Sequence, residues 1–318
     1  MKAIWVVGCN GLLGSALVRV HQAQGAHLFL LASSSPWNNE AAMAVHLKNS
    51  VRTFSSLATR YGAWQIYWAA GVGTMSSTPE LMLAETRALQ QLLELLRTDP
   101  SLMAMSGGLA LASSAGAIYA GTTAEVITEK SETTPTTAYA HAKLAQEEMV
   151  NAFADKAPNF CAIISRITTL YGVGQASSKK LGLISNIARS MVRNQVIQVF
   201  VPLDTIRDYI HAEDAAAATI SALHAATPQR AAQVRIVASE RPTTIAEIVG
   251  PFKRLARRPP WMVTASTKAS GLYTRRVQFR TVEPVDPGLA PPRSLVLGIA
   301  EVLQAERLYL ATTNERHA

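Results

Sequence analysis

A tyrosine and a lysine stand four residues apart in the segment TTAYAHAKLA, at Tyr139 and Lys143. Residues i and i+4 share a face of an α-helix, so the two side chains are expected to project side by side. A phenol ordinarily loses its proton at about pH 10, and a neighbouring ammonium group favours the phenolate. The pair therefore suits general acid and base catalysis, as when hydride transfer to a carbonyl creates an oxyanion. An exposed polar pair without a catalytic role is the alternative, because this spacing is common.

Two serines precede this pair in the segment LALASSAGAIYAG. They stand at the end of a predicted strand, where a hydroxyl group is well placed to orient and polarise the oxygen of a substrate. Ser113 and Ser114 are the candidates for that role.

Three glycines, Gly8, Gly11 and Gly14, follow the first apolar segment in VVGCNGLLGSALV. Glycines in this position allow a tight turn, close approach of backbone N–H groups to a pyrophosphate, and close packing of a helix on a strand. The N-terminus of that helix adds a partial positive charge. The turn is therefore predicted to bind a dinucleotide, and a purely structural turn is the alternative.

These candidate residues are connected by apolar, β-rich segments that alternate with segments of helical periodicity. The predicted strands are KAIWVVG, AHLFLLA, WQIYWAA, LALASS and FCAIISRI, and the predicted helices include residues 12–23, 80–97 and 138–154. Strands that are apolar throughout are typical of a parallel sheet that helices cover on both faces. The prediction is an α/β fold with a Rossmann-type, doubly wound parallel sheet.

The alternation becomes weaker beyond about residue 175, where Pro and Arg are more frequent, as in RRPPW and VEPVDPGLAPPRS. Such segments are typical of loops. We therefore divide the chain into a dinucleotide-binding domain, residues 1–175, and a smaller C-terminal substrate-binding lobe, residues 176–318. The lobe is expected to be partly interleaved with the Rossmann domain.

The G-x-x-G-x-x-G spacing and the Tyr-x-x-x-Lys pair resemble the extended short-chain dehydrogenase/reductase family of NAD(P)-dependent epimerases and dehydratases. Glu129 and Pro135 match an acidic residue and a proline that precede the catalytic tyrosine there, and SSAGAIYAG resembles the SSAxxVYG segment. The resemblance covers roughly residues 3–248, and it implies that Lys143 also hydrogen-bonds the nicotinamide ribose. The implied cofactor-binding residues are Gly8, Asn10, Gly11, Leu12, Gly14, Ser33, Ser34, Ala69, Ala70, Gly71, Tyr139 and Lys143.

Three features near these residues compare directly with the family pattern. The resemblance implies that Ser114, Tyr139 and Lys143 are the catalytic residues. The turn before Tyr119 is one residue longer than in many relatives, so Ser113 is the alternative to Ser114. The segment WAAGVG lies where the fourth strand of the family passes under the cofactor, and its small residues allow close approach of the backbone. Glu85, in AETRALQQLLELL, aligns with a position that is often asparagine in the family.

The second predicted strand has no acidic residue where the family recognises the adenosine ribose. An Asp or Glu there hydrogen-bonds the ribose of NAD, whereas this chain has Ala32, Ser33, Ser34 and Ser35. Hydroxyl groups can donate to a 2′-phosphate, and no carboxylate repels it. NADP is therefore favoured as the cofactor, and NAD is the alternative because no dedicated arginine is present.

Two segments of the second half resemble family segments that meet a nucleotide sugar. The first, AIISRITTLYGVGQ, matches at Arg166, Tyr171, Gly172 and Gly174. Thr169 replaces an asparagine that is frequent in the family. The second, TIRDYIHAEDAAAATISAL, implies that Arg207 pairs with a phosphate oxygen. The implied substrate-binding residues are Ser114, Thr169, Arg207 and Arg276.

The remaining polar residues of these segments are interpreted as structural. Asp208 and Asp214 are expected to organise the loop and to cap the next helix, because Asp is a favoured N-cap residue. His211 is also expected to be structural. Arg275 could reach the same diphosphate as Arg276, and solvated surface arginines are the alternative.

The resemblance leaves more than one reaction open. Dehydratases of the family carry an Asp-Glu pair directly after the hydroxyl residue, whereas this chain has Ala115 and Gly116, so dehydration is disfavoured. Keto reduction and 4-epimerisation of a nucleotide-activated sugar both remain, and the missing acid after the second strand slightly favours reduction. The alternatives are a reductase of a non-sugar carbonyl compound and a Rossmann protein that senses NAD(P) without catalysis.

The charge distribution favours a small anionic substrate over nucleic acid. Residues 1–150 contain 9 Lys+Arg and 10 Asp+Glu, net −1, whereas residues 151–318 contain 21 and 12, net +9. The basic residues are dispersed and lack the interleaved aromatic residues of a nucleic-acid surface, and a solvated basic surface is the alternative.

The same composition gives no indication of a membrane span or a metal site. No apolar segment approaches the roughly 20 residues that cross a bilayer. Cys9 and Cys161 lack the spacing of zinc ligands or of a redox pair. We therefore expect a cytoplasmic protein with neither a membrane nor a nucleic-acid partner, and the family resemblance implies a homodimer.

Overall fold

The computed structural model describes residues 1–30, 35–37, 39–174, 182–199, 202–228, 231–264 and 277–315. Ten helices lie in these ranges: α1 (Leu12–Ala23), α2 (Glu40–Tyr61), α3 (Pro79–Thr98), α4 (Pro100–Ala104), α5 (Ala115–Ile118), α6 (Ala138–Asp155), α7 (Leu183–Val192), α8 (Ala212–Ala225), α9 (Ile245–Ala256) and α10 (Leu295–Glu315). None of these described helices has both the length and the apolar content that crossing a membrane requires.

A parallel sheet of six strands lies at the centre of the molecule. Its strands are β1 (Ala3–Val7), β2 (His27–Phe29), β3 (Ala63–Trp68), β4 (Ser106–Ser114), β6 (Phe160–Ile167) and β10 (Gln233–Val237). They are ordered β10-β6-β4-β3-β1-β2, and every neighbouring pair is parallel. The Rossmann-type sheet predicted from the sequence is confirmed.

Shorter strands build three small sheets. They are β5 (Val126–Ile127), β7 (Thr169–Tyr171), β8 (Ile197–Val199), β9 (Ile206–His211), β11 (Pro242–Thr244), β12 (Met262–Thr264) and β13 (Gln278–Phe279). The order β11-β9-β7 gives a three-stranded sheet, and β12-β8 and β13-β5 are two-stranded. The three-stranded sheet follows β6 after one residue, so it begins at the carboxyl edge of the large sheet.

Helices cover both faces of the large sheet. On one face α2, α3 and α6 pack around Trp5, Trp64 and Trp68. On the other face α1 and α8 pack against β1, β4 and β6. Burial on both faces explains why the strand sequences are apolar without alternation.

The second half of the chain returns to the large sheet. Both α8 and β10 come after residue 175, yet β10 pairs with β6 and α8 packs on α1. Before and after them in the sequence, α7, α9 and α10 form a separate core with strands of two of the small sheets. The large sheet is therefore assembled from both halves of the sequence.

The strand order creates a topological switch point at β1. The chain proceeds from β1 to β2 on one side, and then crosses to β3 on the other side. In doubly wound sheets, a crevice that binds ligands opens at the carboxyl ends of the strands on either side of such a point. Those ends are Gly8, after β1, and Ala69, after β3.

Candidate active site

The predicted catalytic tyrosine and lysine lie in the first two turns of α6. The helix is capped by Thr137, whose hydroxyl accepts a hydrogen bond from the backbone N–H of Ala140 at 3.2 Å. Lys143 Nζ lies 5.7 Å from the centroid of the Tyr139 ring. Tyr139 is half-buried, whereas Lys143 is 5% exposed. The cap thus fixes the register that places both side chains on one face.

A buried carboxylate holds the ammonium group of Lys143. Glu85, on α3, accepts a hydrogen bond from Lys143 Nζ at 2.9 Å, and Gln146 accepts another at 3.0 Å. Burial alone would lower the pKa of Lys143, but the charges of Tyr139 and Glu85 outweigh burial and keep that pKa above its ordinary value. Lys143 is therefore a stable cation beside the half-exposed phenol.

The segment after β3 connects this pair to the glycine turn. A Cβ on Gly73 would lie 2.9 Å from Tyr139 Cδ2, and a Cβ on Gly71 would lie 2.7 Å from Glu85 Oε1. Ala70, the residue before Gly71, packs closely on Gly8. A Cβ added to Gly8 would lie 2.7 Å from the Ala70 backbone. The glycine turn, Tyr139 and Lys143 therefore border the same part of the crevice.

The glycine turn itself has the geometry of a phosphate-binding turn. Gly8 has φ +87°, and a Cβ on Gly14 would lie 2.0 Å from the carbonyl oxygen of Gly8. No side chain caps α1 at its N-cap residue, Gly11, and its first turn holds no acidic residue. A backbone cradle and an uncapped helix N-terminus fit the pyrophosphate of a dinucleotide. Asn10 and Leu12 belong to this same turn.

The two serines at the end of β4 have different surroundings. Ser113 donates a hydrogen bond to the buried Glu147 at 2.5 Å and is 6% exposed. Ser114 is half-exposed, and its side chain does not cap α5. Because successive residues of a strand point to opposite faces, the two hydroxyl groups point apart. This geometry favours Ser114 over Ser113 as the residue that meets a substrate.

A second group of polar side chains is closed off from solvent. Arg166 donates to both oxygens of Glu147, with a shortest distance of 2.6 Å, and to the hydroxyl oxygen of Tyr119 at 2.5 Å. Arg166, Glu147 and Tyr119 are 7%, 4% and 1% exposed. Burial raises the pKa of the Tyr119 phenol even though Arg166 is beside it.

Two of the predicted substrate-binding residues, Thr169 and Arg207, lie on the three-stranded sheet. Thr169 is exposed on β7, where its register partner on β9 is Tyr209. Arg207 is half-buried on β9, and its guanidinium donates to the carbonyl oxygen of Ile206 at 2.7 Å. Ile167, two residues before Thr169, is the register partner of Ser114. The sheet therefore begins next to the carboxyl end of β4.

The three residues interpreted as structural make specific contacts. Asp208 is buried and accepts hydrogen bonds from Thr168 Oγ1 and from the backbone and hydroxyl of Ser239. The cap of α8 is His211, whose Nδ1 accepts from the Glu213 backbone N–H, so Asp214 does not cap this helix as expected. The reason is that the helix begins at Ala212, which places Asp214 inside the first turn.

Some predicted residues lie outside the described residues, namely Ser33, Ser34, Arg275 and Arg276. Within the described residues, no group of His, Cys, Asp or Glu side chains is arranged to hold a metal ion. A cavity of about 570 Å³ is lined by residues 281–285 and 289–292 and in part by Ser239 and Glu240. Neither Tyr139 nor Lys143 lines this cavity. The candidate site is therefore identified by the chemistry of its side chains and not by this cavity.

The family model described as the NAD dependent epimerase/dehydratase family matches residues 4–236. The chain belongs to this family. The resemblance inferred from the glycine turn and the Tyr-x-x-x-Lys pair is therefore confirmed. Comparison with curated protein sequences gives no match.

Solved structures with the same fold cover nearly the whole chain. A structure of MoeE5 with UDP-glucose and NAD is 19% identical, with a TM-score of 0.78, and the alignment covers 98% of this chain and 100% of that one. A UDP-glucose 4-epimerase from Thermotoga maritima, solved with UDP-glucose, is 18% identical, with a TM-score of 0.77 and coverage of 97% and 100%. RMD from Pseudomonas aeruginosa, complexed with NADPH, is 20% identical, with a TM-score of 0.76 and coverage of 97% and 100%.

Sequence reasoning did not place Glu85 and Gln146 in the site. Gln146 completes the group, because its side-chain amide donates to Thr86 Oγ1 at 3.3 Å while its oxygen accepts from Lys143. The one signal for Glu85 was its departure from the asparagine that is frequent in the family. A charged residue that occupies a buried position of an otherwise conventional helix indicates that a partner charge is nearby.

Proposed function

We propose that this protein is an NAD(P)-dependent enzyme that reduces or epimerises a nucleotide-activated sugar at a carbon bearing a hydroxyl or keto group. One observation carries the proposal. The half-exposed phenol of Tyr139 lies beside the buried ammonium of Lys143, at the edge of the crevice that begins at the glycine turn. This arrangement suits proton exchange with a substrate oxygen.

The residues of the glycine turn and of the segment 69–71 would hold the cofactor. A nicotinamide cofactor, when bound, supplies or accepts the hydride. Tyr139 donates a proton to the substrate oxygen during reduction, or removes it during oxidation. Lys143 stabilises the phenolate by its charge, and Ser114 polarises the same substrate oxygen through a hydrogen bond.

Three observations support a nucleotide sugar as the substrate. The structures with the same fold include proteins solved with UDP-glucose. Thr169 and Arg207 lie on a small sheet that begins beside the carboxyl end of β4. A guanidinium group there suits a diphosphate. The net charge of +9 on residues 151–318 also favours an anionic ligand.

The site favours reduction or epimerisation over dehydration. Elimination requires an acid and base pair after Ser114, but the next two residues are Ala115 and Gly116. No carboxylate therefore follows the serine. Because 4-epimerases and ketoreductases share this scaffold, the proposal includes both reactions.

NADP is the cofactor that we propose, with NAD as the alternative. No acidic residue occurs between the end of β2 at Phe29 and the beginning of α2 at Glu40. A carboxylate in that interval would favour NAD by binding its ribose and would repel a 2′-phosphate. Titration of the purified protein with NADPH and NADH tests this choice, and tighter binding of NADH would contradict it.

The proposal also extends to assembly and location. From the family resemblance we propose a homodimer in the cytoplasm. Light scattering on the purified protein measures the assembly, and a mass of one chain at micromolar concentration would contradict the dimer.

The decisive experiment is a panel of nucleotide sugars with NAD and NADPH. Loss of nicotinamide absorbance with formation of a reduced sugar indicates reduction, and an inverted sugar without net cofactor consumption indicates epimerisation. If a non-sugar carbonyl compound is reduced and no nucleotide sugar reacts, the substrate assignment is wrong. If the cofactor binds but no substrate of either class reacts, an NAD(P)-sensing protein is favoured.

A further inference from the structure

The contacts of Glu85 extend beyond its bond to Lys143. One carboxylate oxygen accepts from Lys143 Nζ at 2.9 Å, and the other accepts from the backbone N–H groups of Val72 and Gly73 at 3.1 and 3.3 Å. Glu85 is 2% exposed. The carboxylate therefore connects the segment after β3 to the lysine of α6.

The backbone around Glu85 is shaped for a carboxylate. Gly71 has φ +154°, and a Cβ on it would approach both oxygens of Glu85 to within 2.8 Å. A side chain at this position would displace the carboxylate. The glycine therefore leaves room for the carboxylate of Glu85 beside the segment after β3.

The charges around Lys143 come from two helices. Glu85 faces it from α3, and Tyr139 and the more distant Glu147 lie on α6 itself, as does the uncharged Gln146. Glu147 is bound to Arg166, so its charge is compensated separately. Within the described residues, Glu85 is the carboxylate in direct contact with the ammonium group.

We infer that Glu85 is a positioning residue that holds Lys143 in place and offsets its charge, thereby setting the pH at which Tyr139 becomes phenolate. A lysine ammonium has three donors, and Glu85 and Gln146 take two of them. The third donor remains for Tyr139 or a bound ligand. The inference rests on the proposed function, in which Tyr139 is the acid and base.

The physical basis is the balance of two opposite charges near one phenol. A lone ammonium group stabilises a phenolate, and a carboxylate bound to that ammonium weakens the effect. Removing the negative charge while keeping a side chain of the same shape leaves the ammonium uncompensated. Phenolate should then form at lower pH, by about one unit for a single buried charge several ångströms away.

The test is an absorbance titration of phenolate formation in the cofactor-free protein. The chain has 8 tyrosines, so each variant is compared with its own Tyr139→Phe counterpart, and the difference reports Tyr139. Burial raises the pKa of four other phenols, which keeps them out of the range: Tyr67, Tyr119, Tyr171 and Tyr209.

The expected result is that Glu85→Gln lowers the midpoint for Tyr139 by about one pH unit. Glu85→Asp retains the charge and should stay near the wild-type midpoint. Glu306→Gln is the matched control, because Glu306 is similarly buried, at 3% exposed, and is paired with an arginine, Arg189, in the core of α7 and α10. It should leave the midpoint unchanged even if it lowers the melting temperature.

A midpoint that is unchanged or higher in folded Glu85→Gln would overturn the inference. If Glu85→Gln does not fold, the titration is made on Gly71→Ala, whose Cβ would lie 2.7 Å from Glu85 Oε1 and would displace the carboxylate from Lys143. The midpoint for Tyr139 should again be lower, and an unchanged midpoint would overturn the inference. Because no substrate is needed, a shift observed together with inactivity on every sugar would reject the proposed function and leave this inference standing.

Discussion

Two clusters that each include residues of α6 contain the same three kinds of side chain, and they differ in how open they are. In the first, Tyr139 lies beside Lys143, which pairs with Glu85 at 2.9 Å. In the second, Tyr119 lies beside Arg166, which pairs with Glu147 at 2.6 Å. Each is a phenol, a cation and a carboxylate.

The clusters differ in what remains available for a ligand. The hydroxyl oxygen of Tyr119 is bound by Arg166 at 2.5 Å, and its ring is 1% exposed. Tyr139 is half-buried and contacts Gly73 at the edge of the crevice. A cation next to a tyrosine is therefore insufficient to identify a catalytic pair, because access to a substrate and an unoccupied hydroxyl group are required as well.

The largest effect is expected when the second cluster, of Tyr119, Arg166 and Glu147, is broken; we call it the closed cluster. Glu147→Gln leaves the Arg166 guanidinium buried without its carboxylate, which should lower the free energy of unfolding by about 3–5 kcal/mol. Urea denaturation measures the loss. The control is Glu94→Gln, which removes an exposed pair with Arg97 and should leave the unfolding curve unchanged. Equal curves for Glu147→Gln and wild type would show that the closed cluster does not stabilise the fold.

The adjacent residues Ser113 and Ser114 give a second comparison, because Ser113 is bound to Glu147 of the closed cluster and Ser114 is not. Ser114→Ala should reduce turnover about 10²–10³-fold, the loss typical of one hydrogen-bond donor to a developing oxyanion. Ser113→Ala removes a bond to Glu147 and should affect stability rather than turnover. Steady-state kinetics and thermal melts on both variants check this assignment. Loss of turnover in Ser113→Ala alone would exchange the roles of the two serines.

A smaller effect is expected at the glycine turn, which borders the same crevice as the open cluster of Tyr139, Lys143 and Glu85. Gly14→Ala places a Cβ 2.0 Å from the Gly8 carbonyl oxygen, so the turn that we propose to bind the phosphates must shift. Cofactor affinity should fall about tenfold or more, at least 1.4 kcal/mol. Gly250→Ala is the control, because a Cβ there meets no atom within 4 Å. Titration calorimetry compares the two, and unaltered affinity in Gly14→Ala would argue against this turn as the phosphate site.

Much of the open cluster could be predicted from the sequence, because its signals are local. Gly8 and Gly14 stand at fixed spacing after an apolar strand, and Tyr139 and Lys143 lie one helical turn apart. The strands β1, β3, β4 and β6 and the helices α1, α3 and α6 follow from apolar runs and helical periodicity. Short-range spacing was sufficient for these features.

The partners of these residues could not be predicted in the same way. Glu85 and Lys143 are 58 residues apart, and they meet because α3 packs on α6. Arg166 meets Glu147 because β6 runs beneath α6. The return of β10 to the large sheet likewise depends on packing, and a two-residue strand such as β5 has no periodicity to recognise. Contacts between distant segments leave no regular pattern in one sequence.

The contrast between the two tyrosines gives the most direct test of the central claim, which is that Tyr139 exchanges the proton during hydride transfer. The measurement is the turnover rate of Tyr139→Phe and Tyr119→Phe with the nucleotide sugar and cofactor that the wild type uses. Tyr139→Phe should lose about 10²–10⁴-fold in turnover while it still binds the cofactor. Tyr119→Phe should retain turnover and lose stability. Wild-type turnover in Tyr139→Phe would contradict the account.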